Sequence, residues 1–88
     1  MKINKLTSKD IENFKIYLHQ EEKSGATQEK YLRDVRAFYA YAAGAVITKD
    51  TVMGWKKQLL QDGYAVRSIN SMLASVNSLL AFLGWHDC

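Results

Sequence analysis

Val66-Arg67-Ser68-Ile69-Asn70-Ser71-Met72-Leu73-Ala74-Ser75-Val76-Asn77-Ser78-Leu79-Leu80-Ala81-Phe82-Leu83 is the stretch that decides the fold. Within it Ile69, Met72, Leu73, Val76, Leu79, Leu80 and Leu83 recur at alternating spacings of three and four, the period of a helix with one apolar face. Neither glycine nor proline interrupts the pattern. Such a face must be covered, so this is the central packing helix and the rest of the chain supplies its cover.

Upstream the same period returns three times. A first helix starts after Thr7 or Ser8, either of which can cap it, with Asp10 and Glu12 in its positive first turn. It carries Ile11, Phe14, Tyr17 and Leu18 on one stripe and is expected to end near Lys23. Ser24 then caps a second helix running to about Ala43, with Tyr31, Leu32, Val35, Phe38, Tyr39 and Ala42 on the core arc and Lys30, Arg33, Ala37 and Ala40 opposite. A third helix, capped by Thr48 and closed by Gly63, has one stripe of Val52, Trp55 and Leu59 and another of Met53 and Leu60. Two stripes imply neighbours on two sides. No proline occurs in the chain and no run of alternating apolar residues argues for a strand, so the expected fold class is all-α, a compact bundle of four helices joined by short turns. Its expected core contains Phe14, Leu18, Tyr31, Val35, Phe38, Trp55, Leu59, Leu73, Val76 and Leu80.

The 88 residues, 48% hydrophobic and 24% charged, are enough for one core and too few for a second, so a single domain over residues 1–88 is expected and a multidomain enzyme is excluded. The one cysteine, Cys88, allows no intrachain disulfide. No apolar run approaches the roughly 20 residues of a membrane span, and the N-terminus lacks the apolar stretch of a signal peptide. A cytoplasmic protein with no membrane partner is expected. The net charge of +3 permits a polyanionic partner without requiring one.

Groups that could perform chemistry are few. His19 and His86 have no partner at metal-ligand spacing, no nucleophile-base pair can be proposed, and no phosphate-binding glycine loop follows a strand. We therefore expect no catalytic residue, no metal and no cofactor. The informative anomaly lies on the polar side of the fourth helix, because Arg67 is the sole charged residue across residues 65–85. At 100° per residue the arc opposite the leucines holds Arg67, Ser71, Ala74 and Ser78, flanked by Asn70, Ser75 and Asn77. These short side chains admit a second surface at close range, and their hydroxyls and amides suit phosphate oxygens or base edges. A bare solvent face, or a contact with another part of a longer protein, fits the same pattern. Lys30 and Arg33 on the second helix suit a DNA backbone equally well, and pairs such as Lys30 with Asp34 or Glu29 with Arg33 offer a purely helical reason for the same charges. Lys56 and Lys57 read as solvated. Ile16 and Phe82 lie opposite the apolar stripes of their helices, where they can mark contact with a partner.

Ser24-Gly25-Ala26-Thr27, followed by Tyr31, Asp34-Val35 and Phe38, resembles the pattern Ser-x-x-Thr-x-x-x-Tyr-x-x-Asp-hydrophobic-x-x-Phe in the core-binding domain of phage-integrase-type tyrosine recombinases. Ile47-Thr48, Gly63-Tyr64-Ala65 and Ser68-Ile69-Asn70 with Leu73, Leu79, Leu80, Phe82 and Leu83 continue the likeness over nearly the whole chain. The resemblance implies a SAM-like bundle that clamps double-stranded DNA at a recombination site, while a separate C-terminal catalytic domain, outside these residues, exchanges strands together with other recombinase protomers. The family's catalytic groups belong to that domain, so none of the five tyrosines takes the nucleophile's role. The family's DNA-contacting positions fall on Ser24, Thr27, Lys30 and Arg33 of the second helix and on Arg67, Ser68 and Ser71 of the fourth. Where relatives often carry arginine this chain has Ser71, Met72 and Asn77, which implies lower phosphate affinity. Gly84-Trp85-His86-Asp87-Cys88 stands where an interdomain linker would begin, so the chain reads as an excised or truncated piece of a recombinase. A helical SAM-like protein-protein interaction module is the alternative, with the uncharged fourth helix as its docking face.

Overall fold

Hydroxyl side chains start three of the four helices by accepting a backbone N–H that has no partner within the first turn. The computed structural model describes residues 4–21 and 23–85. Thr7 accepts from the Asp10 amide at 3.2 Å while the Asp10 carboxylate accepts from the Thr7 amide at 2.9 Å, a reciprocal cap that opens α1 (Ser8–Gln20). Ser24 accepts from the Thr27 amide at 3.2 Å and opens α2 (Gly25–Ala42). Thr48 and Thr51 exchange the same kind of bonds at the start of α3 (Lys49–Gln61). Only α4 (Val66–Leu83) begins without a side-chain cap, at Ala65, so its start depends on packing.

The chain is the all-α, SAM-like bundle of four helices expected of it; among the described residues no strand forms and a single antiparallel bridge joins Lys5 to Val46. α4 lies at the centre, against α2, α3 and α1, with α2 as its most extensive neighbour. Its length of 18 residues and mean hydropathy of 1.2 would suffice for a membrane span on composition alone. In the bundle, however, Ile69, Val76, Leu79 and Leu80 are buried against the other helices.

Eight of the ten expected core residues are buried, and the other two, Tyr31 and Leu73, are half-buried at the edge of the same cluster. Leu6 and Ile47 join them. The Ile47 amide donates to the Asn4 carbonyl at 2.6 Å, so the segment before α1 is pinned to the α2–α3 connection and both side chains turn inward.

Three expectations need correction. α1 stops at Gln20, short of Lys23, because the backbone must turn before Ser24 can cap α2; there the Lys23 carbonyl accepts from the Gln28 side chain at 2.6 Å. Among the described residues the second stripe of α3 has no neighbour: Met53 and Leu60 are 54% and 48% exposed, since α3 sits at the edge of the bundle and packs on α4 and α2. Phe82 does not stand free of the bundle either, as its ring lies 4.8 Å from that of Tyr17 and 5.6 Å from that of Phe14. The expectations placed on the N-terminal residues Met1 to Ile3 and on His86, Asp87 and Cys88 lie outside the described residues.

Candidate nucleic-acid interface

Two helices that cross closely leave a groove where their exposed flanks diverge, and α2 and α4 do so between the middle of α2 and the first half of α4. The groove encloses about 490 Å³ and is walled by Lys30, Arg33, Asp34 and Ala37 from α2 and by Tyr64, Arg67, Ser68, Ser71 and Met72 from the turn before α4 and its first half. Five of the seven residues proposed from sequence meet here: Lys30, Arg33, Arg67, Ser68 and Ser71. Ser24 and Thr27 do not. They stand at the N-terminal end of α2, where the Ser24 hydroxyl donates to Thr27 Oγ1 at 2.9 Å and both serve the cap.

The cations of the groove differ in freedom. Arg33 has a side chain 76% exposed and approaches Asp34 only at 3.9 Å. Arg67 is exposed at the opening of α4. Lys30 is half-buried and its ammonium lies 2.7 Å from the Asp34 carboxylate, the helical pair that the sequence offered as the alternative reason for its charge. Among the described residues Asp34 is the sole acidic one lining the groove, and it is buried beneath it.

The fourth helix was expected to turn its serines outward, and Ser75 corrects that. It is wholly buried, and its hydroxyl donates to Asp34 at 2.7 Å. On this flank the surface that the short side chains admit is α2, whose buried carboxylate requires a donor. Ala74, Asn70 and Asn77 remain exposed. Asp34 and Ser75 are the site residues whose placement sequence reading missed, although a signal was present. Asp34 falls between Tyr31, Val35 and Phe38 at core spacing, and Ser75 neighbours Leu79 and Met72 on the helical wheel, so both polar groups sit on the margin of an apolar arc.

His19 is exposed in the last turn of α1, and among the described residues no group of three or more His, Cys, Asp or Glu could hold a metal. Lys56 and Lys57 are exposed on α3, as a solvated pair should be. The hydroxyl of Tyr17 is pushed above its ordinary value, first by the negative charge of Glu21, then by a hydrogen bond to it and by burial. That is opposite to the shift of an activated nucleophile.

Residues 11–87 match the family described as phage integrase, N-terminal SAM-like domain. The chain belongs to this family. No curated protein and no solved structure matches it significantly. The match spans all four helices of the integrase SAM-like domain, from Ile11 in the first turn of α1 past the end of α4, and so takes in both walls of the groove.

Proposed function

We propose that this integrase SAM-like domain binds double-stranded DNA through the α2–α4 groove, as the core-binding part of a tyrosine site-specific recombinase whose strand exchange is performed by a separate catalytic domain. The observation that carries the reading is the convergence of Arg33 and Arg67, from two different helices, on one groove whose single carboxylate is buried and paired. Two exposed guanidinium groups suit phosphates bidentately. Ser68 and Ser71 place short hydroxyl groups beside Arg67, within reach of phosphate oxygens or base edges. Ser24 and Thr27 extend the surface to the positive end of α2. The domain then works in the cytoplasm beside its DNA, without a metal or cofactor of its own. Ile16, Met53 and Leu60, exposed away from the groove, are available to the catalytic domain and to neighbouring protomers.

Fluorescence anisotropy with duplex DNA at rising salt tests the reading. Binding by one small module is expected near 10⁻⁴ to 10⁻⁶ M, at about the strength of nonspecific association, and log K should fall with log salt by about 0.9 for each phosphate contacted. Salt-insensitive binding, or none at low salt, would instead favour a protein-docking module.

A further inference from the structure

We propose that Asp34 is a positioning residue: together with Ser75 it holds the Lys30 ammonium at the α2–α4 junction and withdraws that charge from the groove, leaving Arg33 and Arg67 to meet an anionic ligand. The inference rests on the DNA reading for the identity of the ligand and on the geometry alone for the tether.

The argument begins with valence. A lysine ammonium has three N–H donors and no acceptor. Lys30 has three acceptors around it: Asp34 Oδ2 at 2.7 Å, Ser75 Oγ at 3.2 Å and the Ser71 carbonyl at 3.3 Å. The Ser75 proton points to Asp34 Oδ2 at 2.7 Å, which leaves a lone pair of Ser75 free to accept from Lys30. All three donors are therefore engaged, and a phosphate oxygen would have to displace one of them. Burial decides that contest, because the Asp34 side chain is only 4% exposed and releasing Lys30 would leave its carboxylate without its closest cation. Arg33, at 3.9 Å and largely in solvent, is no substitute. Two of the three bonds also cross from α2 to α4, so the tether sets the spacing between the groove's walls. Lysine at this position thus shapes the groove, and the charge that a DNA backbone meets comes from the two arginines.

Two measurements test this. In the chain without DNA, the Lys30 ammonium should give a ¹H–¹⁵N NMR signal protected from solvent exchange, unlike Lys56 and Lys57, and Asp34→Asn should abolish the protection. In salt titrations against a mixed-sequence duplex two helical turns long, the double variant Lys30→Met/Asp34→Asn, which stays close to the original side-chain sizes and removes the ion pair, should bind more weakly as the groove walls relax yet keep the parent's slope. Arg33→Gln and Arg67→Gln should each reduce the slope by about 0.9, the loss of one phosphate contact. Circular dichroism establishes that each variant is folded. Rapid exchange at Lys30, or a double variant that loses slope as the arginine variants do, would overturn the proposal. If the parent shows no salt-dependent duplex binding, the DNA reading fails, while protection at Lys30 still upholds the tether and its absence still refutes it.

Discussion

Val76 is wholly buried on the core face of α4, where a charged group would find no partner. Val76→Asp should therefore abolish the cooperative thermal transition and the helical dichroism, since an unpaired buried charge costs several kcal/mol against a usual total of about 5–15. Ala43 makes the opposite case. It ends α2 in the left-handed region at φ 48°, which an alanine adopts at a cost of about 1–2 kcal/mol and a glycine does not. Ala43→Gly should raise the midpoint of urea unfolding by an amount worth about 1 kcal/mol. The burial of Val76 was legible because periodicity alone reports which face of a helix is apolar. The handedness of Ala43 was not, because in the sequence Gly44 alone accounts for a left-handed turn, whereas the backbone takes positive φ at both residues, 48° at Ala43 and 83° at Gly44. The burial of Asp34 and Ser75 was missed for a related reason: a buried polar residue is stable only with its partner, and that partner lies 41 residues away on another helix.

At the scale of the helices, starts were more legible than ends. Thr7, Ser24 and Thr48 cap as their chemistry dictates, whereas the end of α1 is decided by where Ser24 must stand to begin α2. Helix faces were legible where a stripe had one neighbour and misread where α3 showed two. The bare arc of α4 proves to be shared between a flank turned to α2 and a flank turned to solvent, and this sharpens the test of the interface. Ala37 lines the groove and is exposed, so on the proposed reading Ala37→Glu should place a carboxylate among the groove's cations and remove DNA binding in an anisotropy titration without loss of helicity. Arg33→Glu should do the same. Ala74 is exposed but does not line the groove, so Ala74→Glu should weaken binding less, and Lys57→Glu on α3 should leave it within about twofold of the parent, as expected of an isolated surface charge.

At the scale of the molecule, the all-α class and the helix order followed from four periodic segments and short connections. The pinning of the N-terminal segment through Leu6, Ile47 and the Asn4 carbonyl did not, since one residue pair in two irregular stretches leaves no period to read. Of the groove, the two helices and five lining residues were legible, while the pairing of Lys30 with Asp34 beside two exposed arginines requires distances. The central claim is that DNA lies in the α2–α4 groove, and backbone amide chemical-shift mapping with duplex DNA at low salt tests it most directly. The account predicts the largest shifts across residues 24–37 and 64–72, fading as salt is added. Shifts concentrated on the exposed stripe of Met53 and Leu60, with the groove unmoved, or no shifts at all, would contradict it.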